Sequence, residues 1–135
     1  MIYLSRLPSF TLPNSAIDME EVWADIRKYP DYQVSSLGNI LDKLTGVIVN
    51  QYIQRDGYAM VWLRKGRGFK SERVHRLVAE TFLDNPLHKS CVDHINTVKH
   101  DNRLVNLRWA TPKENSNNPE TLKKFRIINN KKSHE

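Results

Sequence analysis

From Glu21 to Val74 the apolar positions fall in short β-branched and aromatic runs. Turn signals separate them at Tyr29-Pro30-Asp31, Leu37-Gly38-Asn39, Thr45-Gly46, Arg55-Asp56-Gly57 and Gly66-Arg67-Gly68. Such punctuation predicts a β-rich segment of several short strands. Within it Tyr58, Met60 and Trp62 alternate with Ala59, Val61 and Leu63, the two-residue period of a strand. That strand ends in Arg64, Lys65 and Arg67 at a glycine-flanked turn, a tip that can lie against phosphates or simply be solvated.

The period then changes. Val74, Leu77, Val78, Thr81 and Phe82 fall at helical spacing, and Asn85-Pro86 supplies a stop. This helix is expected to pack on a neighbouring sheet. His75 and Arg76 stand at its start, and for His75 a hydrogen-bonded structural histidine is the expected reading. A short strand is expected at residues 90–95, then a loop rich in Asn, Lys and Asp, then a second strand at residues 107–110. A final helix begins near Thr111-Pro112, with Thr111 as N-cap, Pro112 at the first helical position and Glu114 in the first turn. The order is strand, loop, strand, helix.

A length of 135 residues holds one domain or two very small modules, and 39% apolar residues make the chain globular over most of its length. The net charge is +6, which suggests a polyanionic partner, and its distribution says more than its sum. Between Arg55 and Arg76 stand seven basic residues (Arg55, Arg64, Lys65, Arg67, Lys70, Arg73 and Arg76) against Asp56 and Glu72. The tail from Pro119 adds Lys123, Lys124, Arg126, Lys131 and Lys132 against Glu120 and Glu135. Either cluster alone would read as a solvated face; two flanking a polar constellation favour nucleic acid. The single cysteine, Cys91, excludes an internal disulfide and a Cys-rich zinc site, and fits a reducing cytoplasm. No apolar run approaches the roughly 20 residues that span a bilayer, and the first residues, broken by Pro8 and Pro13, read as an extended arm rather than a secretory signal.

The chemistry concentrates after the helix, where Cys91-Val92-Asp93-His94-Ile95-Asn96 sets an acid beside a histidine in an apolar run. A carboxylate and a carboxamide are hard oxygen ligands, suited to Mg²⁺ or Mn²⁺ rather than zinc. An imidazole beside them is a natural base for water near neutral pH. Neighbours on a strand point to opposite faces, so Asp93 and His94 can converge only where the strand is distorted or ends. Read singly, Asp93 is a turn residue, His94 a core histidine, and Asn106 and Asn115 loop and cap residues.

Residues 92–118, VDHINTVKHDNRLVNLRWATPKENSNN, resemble the HNH (ββα-metal) nuclease motif, in the branch of phage and intron-encoded homing endonucleases. Upstream, EVWADIRKYPDYQVSSLGNI resembles the small nuclease-associated module that often precedes it, and VHRLVAETFLDNP resembles the linking helix. The resemblance implies an α+β fold: an arm at residues 1–19, a β-rich DNA-contacting module at 20–70, a nuclease core at 71–118 and a basic tail at 119–135. It implies a metal-dependent endonuclease that hydrolyses DNA phosphodiesters, leaving a 5′ phosphate and a 3′ hydroxyl. Asp93 and Asn115 would bind one Mg²⁺ or Mn²⁺ per site. His94 would be the general base, and Asn106, grouped with it, the middle Asn that ties the loop by backbone hydrogen bonds. Arg64, Lys65, Arg67, Lys70, Arg73, Arg103 and Arg108 are the expected DNA contacts, although Arg108 could equally partner an acid. The partner would be double-stranded DNA, with no membrane and no disulfide-linked partner, and the protein a monomer or homodimer in the cytoplasm of a bacterial host, phage-encoded members included.

Two departures stand out. The family's usual Asp-Gly-Asn after Asp-His-Ile is Asn96-Thr97-Val98 here, so a positive φ would lack its glycine. Longer members also continue into helical DNA-reading modules, whereas this sequence has a short basic tail. The alternatives are a DNA-binding protein that has kept a nuclease-like fold without cleaving, and a nuclease acting on RNA or on DNA of any sequence. A zinc cluster of His88, Cys91, His94 and His100 matches no common spacing.

Overall fold

A computed structural model describes residues 20–120. The arm at 1–19 and, save Pro119 and Glu120, the basic tail lie outside the described residues. Three antiparallel sheets follow one another along the chain. The first holds β1 (Trp23–Ile26), β2 (Tyr29–Ser35), β3 (Ile40–Asp42) and β4 (Val47–Ile48) in sequential order, and the second β5 (Tyr52–Ile53), β6 (Ala59–Lys65) and β7 (Gly68–Arg73). Helix α1 (Val74–Phe82) leads to a hairpin of β8 (Cys91–His94) and β9 (Leu107–Ala110), and α2 (Pro112–Ser116) closes the unit. The architecture is α+β.

The alternation in β6 holds in part: on its inner face Ala59, Val61 and Leu63 are buried and Trp62 is exposed, but Met60, on the same face as Trp62, is buried as well. Those inner residues share one core with Val34 and Ile40 of the first sheet, Val74, Leu77 and Val78 of α1, and Val92 and Leu107 of the last hairpin. Helix α1 is therefore the element on which all three sheets meet, and at nine residues it is too short to persist without that packing. Its last turn is tied to the final hairpin by Trp109 Nε1, which donates to the Leu83 carbonyl at 3.1 Å.

The β6–β7 hairpin forms where the glycines predict it, with Gly66 at φ +59. Arg64 does not project from its tip. Its guanidinium donates to both oxygens of Asp42 at 2.6 and 2.9 Å and lies over the Tyr32 ring, joining the second sheet to the first. The hydrogen bonds from Arg64 hold the Asp42 carboxyl down at about 2, so the pair is charged throughout the ordinary pH range.

Helix α2 has only five residues and depends on its start. The Thr111 hydroxyl accepts from Glu114 N and the Glu114 carboxylate accepts from Thr111 N, both at 3.1 Å, a complete capping box with Pro112 next to the cap. Ahead of it, the loop leaving β8 turns through Thr97 at φ 65. A β-branched residue in the left-handed region is strained by roughly 1–2 kcal/mol. Replacing Thr97 by Gly should relieve more strain than it adds in unfolded-state entropy and raise unfolding stability in urea by roughly 0.5–1 kcal/mol; an unchanged or lower midpoint would mean that Thr97 is comfortable there.

Candidate active site

Asp93 and His94 are the last two residues of β8, paired with Arg108 and Leu107 across the hairpin. The strand stops at His94, whose carbonyl accepts from Thr97 N at 2.8 Å as the chain turns. Strand alternation would have parted these two side chains; the strand end lets both line one pocket. That pocket, about 90 Å³ in volume, is lined by Tyr58, Val92, Asp93, His94, Thr97, Lys99 and Asn115. Asp93 and His94 are 4% and 5% exposed and form its floor, while Asn115 on α2 is exposed at its edge.

A carboxylate buried this deeply needs donors. Asp93 has them in Asn118, whose Nδ2 donates to Oδ1 at 3.0 Å and Oδ2 at 2.9 Å, and in Arg108, whose Nε donates to Oδ2 at 2.8 Å. The same Asn118 amide also reaches the carbonyls of His94 and Ile95 at 3.2 and 3.3 Å. Of the four lone pairs a carboxylate offers, one on Oδ1 is left over, beside Asn115 in the same pocket.

His94 is held from two sides. Its Nε2 pairs with Asn102 Oδ1 at 2.8 Å. Its ring lies 4.9 Å from that of His75 and 5.9 Å from that of Tyr58. Burial pushes the His94 imidazole below its usual range, which the Asn102 hydrogen bond and the Asp93 charge partly offset. His75, expected to be hydrogen-bonded, is instead packed by rings: it stacks on Tyr58 at 4.9 Å, and its buried Nδ1 has no partner. Burial, reinforced by the charge of His94, drives His75 down to about 3, so it stays a neutral ring.

Asn106 is not on the pocket wall. Its side chain accepts from Asn96 N at 3.0 Å and donates to Asn96 Oδ1 and Asp101 O at 2.9 Å each, stapling the loop between the strands. The arginines expected on DNA are found on carboxylates: Arg64 on Asp42, Arg73 on Asp56 at 3.3 Å, Arg103 on Asp101 at 2.8 Å, Arg108 on Asp93. Lys65, Arg67 and Lys70 are exposed on the β6–β7 hairpin, Lys65 over the Tyr29 ring and Lys70 3.8 Å from Glu72.

Four residues of the site escape sequence reasoning. Asn118 and Asn102 look like ordinary polar loop residues, yet both are almost fully buried, and buried Asn is the signal that only a structure supplies. Tyr58 reaches the pocket from the upstream β-rich segment. Lys99 is clipped to the same segment: its Nζ donates to the Asp56 carbonyl at 2.8 Å and lies over the Tyr58 ring.

The donor set can be tested against a metal. Among the described residues no group of three or more His, Cys, Asp or Glu comes together, which leaves Asp93 and Asn115 as a pair of hard oxygen donors at one pocket. Two protein ligands, with water and substrate oxygens for the rest, suit Mg²⁺ or Mn²⁺, and the residues fit such an ion.

Both the pocket-bearing segment and the one before it are similar to known proteins. Residues 21–64 match the NUMOD4 motif and residues 72–117 the HNH endonuclease family. The DNA endonuclease I-HmuI of Bacillus phage SP01 is 39% identical over 97 residues, covering 71% of this chain and 56% of the relative. An uncharacterized HNH endonuclease of Acanthamoeba polyphaga mimivirus is 39% identical over 118 residues, 80% of this chain but 29% of the relative. A solved structure of I-HmuI, which concerns DNA binding and cleavage by that HNH homing endonuclease, superposes with a TM-score of 0.66 at 38% identity, over 78% of this chain and 64% of that one. The chain spans 26% to 56% of the length of the curated relatives it matches. The chain thus carries a NUMOD4 motif followed by a domain that matches the HNH endonuclease family, and the hairpin and helix around the pocket lie within that second segment.

Proposed function

We propose that this protein is a divalent-metal-dependent endonuclease that hydrolyses phosphodiester bonds of double-stranded DNA. The observation that carries the reading is the single pocket shared by Asp93, His94 and Asn115. The likeness to I-HmuI, a DNA endonuclease, supports DNA as the substrate.

His94 is the general base. With Nε2 directed at the Asn102 carbonyl, the other ring nitrogen, Nδ1, carries the lone pair that accepts a proton from water. The water oxygen forms a bond to phosphorus while the bond to the 3′ oxygen breaks, and that oxygen takes a proton from solvent, which leaves a 5′ phosphate and a 3′ hydroxyl. Asp93 and Asn115 would hold the cation. When bound, that Mg²⁺ or Mn²⁺ supplies charge neutralisation at the phosphate and at the departing oxygen. Asn118 and Arg108 keep the Asp93 carboxylate in place. Asn106 keeps the loop from straying across the pocket.

For the DNA backbone, Lys65, Arg67 and Lys70 are the residues we assign to phosphate contacts, since Arg64, Arg73, Arg103 and Arg108 pair with acids within the fold. Phosphate contacts position the protein on a duplex and carry no sequence information.

The direct test is nicking of a supercoiled plasmid with and without Mg²⁺ or Mn²⁺. His94→Ala should lower the rate by at least roughly 100-fold at any metal concentration. Asn115→Ala should raise the metal concentration needed for half-maximal rate by roughly tenfold or more. Binding without metal-dependent nicking would instead make the chain a non-cleaving DNA-binding protein. The hairpin assignment is tested by salt titration of binding in Ca²⁺: Lys65→Ala with Arg67→Ala should weaken binding across sequences and flatten the slope of log affinity against log salt by about 2. An unchanged slope would remove the hairpin from the interface.

A further inference from the structure

We propose that Asn102 is a positioning residue of this reaction, fixing the orientation of the His94 ring, and that the turn at Ser36–Gly38, within the NUMOD4 segment, holds Asn102 in place. The proposal rests on the nuclease reading above and adds that the upstream module serves the chemistry as well as the DNA.

Four observations carry it. Asn102 is 4% exposed, and its side chain makes one hydrogen bond, from Oδ1 to His94 Nε2 at 2.8 Å. Its Nδ2 is buried with no partner. For folding alone this is a poor arrangement, because an unpaired buried donor costs roughly 1–3 kcal/mol against the gain of one bond. What the side chain contributes is an acceptor aimed at one nitrogen of His94, which fixes the proton on Nε2 and leaves Nδ1 as the ring's acceptor.

The second observation concerns what stands behind Asn102. Gly38 has φ +86, and a Cβ placed on it would lie 3.0 Å from both Asn102 Cβ and the Asn102 carbonyl oxygen. The turn and the loop fit without a spare atom between them. Third, the loop is bonded to that turn, since Leu104 N donates to the Ser36 carbonyl at 2.7 Å, and the turn is itself braced by Gln51 Nε2, which donates to the Gly38 carbonyl at 2.7 Å. Fourth, the His94 ring is packed by the rings of His75 and Tyr58, at 4.9 and 5.9 Å between centroids. Ser36, Gly38, Gln51 and Tyr58 all fall within the residues that match NUMOD4. His94 is thus packed against Tyr58 of the upstream segment, and its partner Asn102 is backed by the Ser36–Gly38 turn of that same segment.

The test uses the full chain with ¹⁵N-labelled histidine. Long-range proton–nitrogen spectra, with the His94 signals identified by their loss in His94→Gln, read the ring tautomer without reference to activity. The wild type should show the Nε2–H form. Asn102→Leu, similar in volume but without an acceptor, should lose that single form and lower kcat by roughly 10- to 100-fold with KM and DNA affinity in Ca²⁺ nearly unchanged. Asn102→Asp, which keeps an oxygen in place and gives up only an amide that bonds to nothing, should recover most of the rate. Gly38→Ala should lower kcat in the same direction, again with DNA affinity preserved. An Nδ1–H tautomer in the wild type, wild-type nicking by Asn102→Leu, or an Asn102→Asp variant no faster than Asn102→Leu would overturn the proposal. A wild type that does not nick would defeat the nuclease reading, and the tautomer spectrum would still decide the Asn102 contact by itself.

Discussion

Everything at the site depends on seating one carboxylate beneath the surface. Asp93 is nearly inaccessible, and a bare anion there would cost several kcal/mol. Arg108 offsets the charge from the facing strand, and Asn118 fills lone pairs from the chain just beyond α2. Because Asn118 also bonds the carbonyls of His94 and Ile95, one amide both satisfies the acid and fixes the point where the strand ends. The short helix is drawn across the hairpin by the same contact, which brings Asn115 to the pocket. A clamp on Asp93 therefore arranges the strand end, His94 and Asn115 together.

The rest of the fold keeps this arrangement from loosening. Helix α1 joins the three sheets in one core, and its His75 presents a neutral ring to His94. The Arg64–Asp42 pair locks the two upstream sheets to each other. Through Gly38, Tyr58 and the Lys99 clip, the upstream sheets then bear on the loop between β8 and β9. Two segments that match separate families share a core and a pocket wall.

The local features were legible in the sequence because local rules govern them. Glycine turns placed the β6–β7 hairpin, apolar spacing placed α1, and Thr111-Pro112 with Glu114 placed the start of α2. The pairing of Asp93 and His94 required a strand end, and β8 ends there. The missing glycine at Thr97 announced a strained φ, and the backbone has it. What could not be read were partners set by tertiary packing. No periodicity says that Asn118 lies under Asp93, that Asn102 faces His94 across eight residues, or that Arg64 turns inward to Asp42 instead of outward to phosphate. His75 was misjudged for the same reason: helix position suggested a hydrogen bond, and the packing supplied rings.

The central claim is that Asp93 and Asn115 hold one divalent ion in the pocket above His94. A crystal structure of the full chain grown with Mn²⁺ and a DNA duplex, with diffraction recorded at the manganese edge, tests it most directly. The account predicts one anomalous peak at about 2.0–2.2 Å from an oxygen of Asp93 and from the Asn115 carbonyl, the span expected of a small hard cation. A peak held by other residues, or a pocket without one while DNA is bound, would contradict it.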